Sequence, residues 1–263
     1  MKHCYILSGA MLGIALAGNA NAIEDITSPF YLPSETEVFS GTSVAYNRIS
    51  WKDFSATEDL ELRENILIGI GQEAAVMVNV ANHFNTKSIT SENYNNDLNL
   101  DYELGLFKNW RYENGVVLQA GASYFTYDPE SWFGKDSKIP QNDRWYKELH
   151  GHLKLGYELE DGLTPYLGMN ISGNVDNSDR NITYNTVAGV HKLEYGYSFD
   201  AALGYEFDDS EDNNANWYML GAGDYFIKDN MTLGAAATYR FAGDNTPEMD
   251  YGYGVEARFK ILF

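Results

Sequence analysis

Basic side chains, cysteine and long apolar runs are all scarce in this chain, and each scarcity excludes something. Against 38 aspartates and glutamates there are only 18 lysines and arginines, giving a formal charge of −20. Phosphate backbones are held by basic surfaces, so nucleic acid is not an expected partner. The single cysteine, Cys4, leaves no disulfide framework and no thiol chemistry. Beyond residue 22 no apolar run reaches about 18 residues, which rules out membrane-spanning helices. A spanning strand needs only about 9–11 residues, so strands remain open.

What is present begins with a leader. Lys2 and His3 precede "ILSGAMLGIALAG", an apolar run too short to cross a bilayer as a helix, and "ANA" at 20–22 offers small residues for cleavage. Residues 1–22 are therefore expected to be a signal peptide cleaved after Ala22. Its removal takes away Lys2 and Cys4 but no acid, so the exported chain is more negative still. The remainder, from Ile23, is ample for one domain.

Hydrophobicity then alternates with period two. In "DLNLDYELGLF", Leu98, Leu100, Tyr102, Leu104 and Leu106 alternate with polar residues and Gly105. "HGHLKLGY" and "YGYSFDAALGYEF" behave alike, and "YGYGVEARFKILF" carries the pattern to the final Phe263. Twelve such segments are predicted, near 37–50, 59–70, 74–84, 96–108, 115–127, 144–158, 163–175, 181–192, 195–207, 216–227, 231–242 and 250–263. Ten is the alternative count: "NITYNTVAGVHKLEY" alternates poorly, and read as one long loop it absorbs two strands. Short linkers such as "GQE", "LEDG" and "KDN" alternate with longer polar ones such as "DPESWFGKDSKIPQND" and "DDSEDNNA". Tight turns at one end and longer loops at the other are the habit of outer-membrane barrels.

The fold class expected is thus all-β, an antiparallel transmembrane barrel over 37–263, with 23–36 a periplasmic N-terminal segment. In hydrocarbon every peptide group must be paired, so strands cross only as a closed ring. Tyr157, Trp145, Tyr205, Phe207, Trp217 and Tyr239 fall near strand ends, where aromatic girdles sit.

With its leader, amphipathic strands and terminal aromatic, the chain resembles Gram-negative outer-membrane β-barrel proteins. Tyr251, Tyr253, Phe259 and Phe263 carry the match. The resemblance implies that they form the signal read by the barrel assembly machinery, and that outer-membrane lipid and lipopolysaccharide surround the barrel. "ITSPFYLPSETEV" with "LELRENILIGIGQEAAVMVNV" is also weakly similar to outer-membrane proteins associated with aromatic-compound degradation; no function is drawn from this.

Alternation places a charged set inside. Asp101, Glu103, Glu148, His150, His152, Lys154, Asp200, Glu206, Arg240, Glu256 and Arg258 are the candidate lumen lining, with Glu61, Asp97, Arg63 and Lys260 beside them. They serve either as a selectivity lining or as salt-bridged struts. His150 and His152 share a face, and a third ligand from Asp101, Glu103, Asp200 or Glu206 would complete a transition-metal site. Sequence does not establish that adjacency, so lumen histidines bonded to carboxylates are expected, with no metal and no cofactor.

Other motifs have plain readings. Gly69, Gly71 and Ala74 mimic a dinucleotide fingerprint, but Val76, Val78 and Val80 continue as a strand rather than a helix. Asp208, Asp209, Glu211 and Asp212 form an acidic loop that is read as solvated. Twelve-stranded barrels include enzymes; the phospholipase pattern wants His and Ser facing lipid, whereas His83, His150 and His152 face inward, and no protease-like rim pair stands out. No catalytic residues are assigned. The expected function is a porin-like passive channel for small hydrophilic solutes, the alternatives being a non-transporting adhesin or envelope-stabilising barrel, or a rim hydrolase.

Overall fold

The computed structural model describes residues 25–51, 56–85, 100–127, 146–175, 182–209, 215–241 and 249–263. Twelve strands follow one another: β1 Val38–Trp51, β2 Thr57–Gly71, β3 Ala74–Asn85, β4 Leu100–Arg111, β5 Val116–Tyr127, β6 Tyr146–Tyr157, β7 Leu163–Asn174, β8 Ile182–Glu194, β9 Tyr197–Asp208, β10 Ala215–Lys228, β11 Met231–Phe241 and β12 Met249–Leu262. Each pairs antiparallel with its sequence neighbour, and β12 returns to β1, so the sheet closes. The register runs from Phe39↔Leu262 to Ser50↔Tyr251. Phe263 is tied in as well, since its N–H donates to the Val38 carbonyl at 2.8 Å and its carbonyl accepts from Val38 at 3.3 Å. The closing strand leaves no open edge.

The ten-strand alternative is overturned at the segment that read worst. "ITYNTVAGVHKLE" is β8, laddered to β7 and β9 along its length. Its alternation is masked because Thr186, Ala188 and Val190 on the outward parity are small or half-polar. Tyr195 and Gly196 then form a tight turn in which Gly196 takes φ +85°, a conformation glycine adopts freely. β4 runs three residues past its predicted end, because Asn109 N–H bonds the Glu73 carbonyl and Asn109 pairs with Gln119. The predicted part of that strand at 96–99, with Asp97, and the girdle residue Trp145 lie outside the described residues.

Parity separates the two faces. Leu104, Leu106, Leu167 and Leu233 point outward and are 56–59 % exposed. So many large apolar side chains on an outer wall have no place in water, and hydrocarbon accounts for them. Aromatic contacts gather toward the loop end of that wall: Tyr205 with Trp217 at 4.9 Å, and Tyr239 with Tyr251 at 6.4 Å. Tyr157 marks the turn end. Outward charges occur as well: Arg48 and Glu58 pair at 3.2 Å toward the loop end, and a carboxylate lies mid-wall. Glu64, mid-strand between Leu62 and Ile66, has its carboxylate held by the hydroxyls of Ser40 and Thr42, each at 2.5 Å. Two local donors lower the cost of a carboxylate facing lipid.

The packed apolar core sits inside the ring, at the turn end where residues 25–36 and Phe263 lie. Ile26 and Tyr31 of the N-terminal segment meet inward-facing Phe39 and Phe226, with Leu67, Leu193 and Leu262 around them.

Candidate functional site

The N-terminal segment is the feature that shapes the lumen. Asp25 Oδ1 accepts from the Thr27 N–H at 3.2 Å and its hydroxyl at 2.6 Å, and the Asp25 and Ser28 carbonyls accept from Ser28 and Tyr31 at 3.0 Å each. These local bonds coil residues 25–31 into successive turns, and Pro29 and Pro33 keep the segment out of any strand ladder. The coil lodges between the walls.

Its anchors come from inward positions of distant strands. The Pro29 carbonyl accepts from Lys154 Nζ (β6) at 2.6 Å, and that ammonium lies 5.6 Å from the Phe30 ring centroid. The Phe30 carbonyl accepts from Asn109 Nδ2 (β4) at 2.6 Å, and Asn109 Oδ1 accepts from Gln119. Phe30 itself has no exposed surface and meets Tyr166 edge-on at 6.4 Å. Gly156 is required here: a Cβ at that position would run into the Phe30 ring. Asp25 Oδ2 bonds His191 Nε2 (β8) at 2.8 Å, while His191 Nδ1 bonds Asp200 (β9) at 3.0 Å.

Burial alone would raise the pKa of Asp25, but the hydrogen bond and charge of His191, with the bonds from Thr27, outweigh it and hold the carboxyl below 3.8. A depressed carboxyl stabilises the folded arrangement above its unfolded value and loses that effect as pH falls through the lower folded value. The Asp25–His191–Asp200 link is thus expected to hold at neutral pH and to release only below about pH 3.8. Current through reconstituted protein should therefore rise on strong acidification. Asp25→Asn should lose that acid step and start from the higher current.

The other lumen candidates fall into two groups. On β2–β6, His83 bonds Asp59 and Asp101 at 2.9 Å each, and Glu103, Glu148, His150 and His152 form a second cluster joined through Ser123. On β10–β12, Asp224 takes Arg258 in a two-pronged bond and Lys260 at 3.3 Å. Arg240 reaches Glu206 at 3.3 Å and lies 5.8 Å from the Tyr218 ring centroid. Glu256 lines a cavity with Arg63, Arg258 and Lys260. Imidazoles with carboxylates gather on β2–β6, where Lys154 and Arg63 also point inward. On β9–β12, Asp200, Glu206, Asp224 and Glu256 stand among Arg240, Arg258 and Lys260, so both signs are mixed around the ring. Tyr251, Tyr253 and Phe259 face outward on β12.

Several of these residues escaped the sequence. Asp224 has the right parity within "GAGDYF" and was readable there. His191 lay in the segment with the weakest alternation. Phe30 and Asn109 carry no local signal, since their pairing spans 79 positions.

Two cavities flank the segment. One of about 280 Å³ lies between it and β1, β2 and β12, bordered by Ser43, Arg63, Arg258 and Lys260; the other, about 330 Å³, opens at the turn end beside Glu73, Arg111 and Glu158. Ser28 and Tyr31 border both and so form the partition.

No protein-family profile matches the chain, and no curated protein does. Solved structures match its fold. An outer-membrane channel from Pseudomonas putida F1 superposes with a TM-score of 0.66 at 12 % identity, covering 90 % of this chain and 98 % of that one. The NanC porin gives 0.59 at 9 %, covering 84 % and 98 %. The β domain of the Bordetella autotransporter BrkA gives 0.55 at 15 %, covering 88 % and 100 %. The chain has the fold of the Gram-negative outer-membrane β-barrels.

Proposed function

We propose that this protein is a porin-like passive channel of the outer membrane for small hydrophilic solutes, narrowed at its turn end by residues 25–36. One observation carries the reading: a lumen wall lined by ionisable side chains of both signs, among them Asp101, Glu103, His150, Glu206, Asp224, Arg240 and Arg258, within an apolar-faced ring. Charged side chains of this kind orient a hydrated solute and select by charge at a constriction. The spaces beside the N-terminal segment, about 280 and 330 Å³, restrict passage there to ions and small molecules. The fold-level likeness to a channel and a porin supports the reading, and short turns beside residue 25 and Phe263 support a periplasmic position for that end. In this reading residues 1–22 export the chain, the β12 aromatics serve assembly, and lipid and lipopolysaccharide are the surroundings. Planar-bilayer recording tests it: discrete conductance steps with a modest cation preference are expected, and silence at every ionic strength would reject it.

A further inference from the structure

We infer that Glu103, His150 and His152 form a binding site for a divalent transition-metal ion of the zinc type in the lumen wall, whether or not solutes pass. One ligand atom from each lies within 4.8 Å of the others. They come from β4 and β6, brought together by β5, whose Ser123 pairs in register with both Gly105 and His150.

The hydrogen bonds behind the rings decide which atoms face the centre. His150 Nε2 is held by Glu148 Oε2 at 2.8 Å, so Nδ1, in its longer contact with Glu103, is the nitrogen that can give up its proton for a metal ion. His152 Nδ1 is 3.0 Å from Asn170 Oδ1, which fixes the proton on that side and leaves Nε2 bare. A carboxylate or amide oxygen behind each imidazole is the outer support that metal-binding histidines carry. Phe125 stacks on His150 at 5.5 Å, and Phe107 lies 5.2 Å from His152, holding both ring planes.

Inside, one hydroxyl stands between two acceptors. Ser123 Oγ is 2.6 Å from Glu103 Oε1 and 2.9 Å from His152 Nε2, yet it has one hydrogen to give. His150 Nδ1 stands 3.4 Å from the same Glu103 oxygen. That is long for an N–H···O bond but equals, to about 0.1 Å, the edge of a tetrahedron with ligand bonds of about 2.1 Å.

The other inward histidines show the contrast. His83 and His191 have both nitrogens within 2.8–3.0 Å of carboxylates, the geometry of a doubly held ring with nothing to offer. The Asp59–Glu61–His83 group would have to break such a bond to bind an ion. Two imidazoles and one carboxylate suit zinc and its neighbours rather than calcium or magnesium, which prefer all-oxygen shells. Three protein ligands leave a fourth position toward the lumen.

The test uses untagged full-length protein, folded in detergent and stripped with chelator. Zinc should bind at one equivalent in calorimetry, and cobalt(II) should give the visible absorption of a low-coordinate site. The double variant His150→Gln/His152→Gln should lose both signals while keeping barrel mobility on gels, and His83→Gln should keep them. Should the double variant fail to fold, X-ray absorption of zinc-loaded native protein decides, with two imidazoles in the first shell expected. Absence of stoichiometric zinc, retention of binding in the folded double variant, or a shell with fewer than two imidazoles overturns the assignment.

Discussion

Deleting residues 25–36 behind the leader is expected to raise single-channel conductance several-fold while the barrel stays closed. The segment fills the turn end with Ile26, Phe30, Tyr31 and Leu32, all buried, and its removal clears the space between the two cavities. The strands do not depend on it for backbone pairing, since every ladder from β1 to β12 closes without it. Stability should nonetheless fall, because Phe39, Leu67, Leu193, Phe226 and Leu262 lose their cover. Burial of one large apolar side chain contributes about 1.5–3 kcal/mol, so the loss amounts to several kcal/mol in urea unfolding. Gly156→Val separates displacement from deletion: its side chain collides with Phe30, so current should rise with the segment still attached. Native-like conductance in both variants would mean that the segment does not limit flow.

The second large effect lies across the lumen. Asp224 has no exposed side-chain surface and binds Arg258 at two points and Lys260 at one. Gly234 on β11 makes room for it, since a Cβ there would strike the carboxylate. Asp224→Ala would leave two inward cations without their shared partner. Removing one member of such a buried network costs about 3–5 kcal/mol. A fall of that size in unfolding free energy is expected, with Asp224→Asn losing less because the amide oxygen still accepts. A change below about 1 kcal/mol, the worth of an exposed pair, would show the cluster to be solvated.

Much of this architecture was legible because strands obey a simple rule. Leu104 out and Glu103 in follow from period two alone, and one parity decision fixes a whole segment. The rule weakens where outward residues are small, as in β8, and it says nothing of exceptions such as Glu64, whose acceptability depends on Ser40 and Thr42 one strand away. Candidate lumen residues were therefore readable as a set, but their partners were not. Lys154 has the parity of a lining residue, yet it holds the Pro29 carbonyl from 125 positions away. Adjacency of Glu103 to His150 and His152 likewise needs the inter-strand register, which depends on turn lengths and on loops that alternation does not specify.

Ser43 and Val44 are neighbours of opposite parity, one bordering the inner cavity and the other facing outward. Cys4 is the chain's sole cysteine, within the expected leader, so Ser43→Cys and Val44→Cys each place one thiol in the barrel. The most direct measurement is current through each variant while a charged methanethiosulfonate is added. The current should drop in discrete steps for Ser43→Cys and stay unchanged for Val44→Cys. Equal responses at the two positions, or block only at Val44→Cys, would contradict a solute path through this lumen.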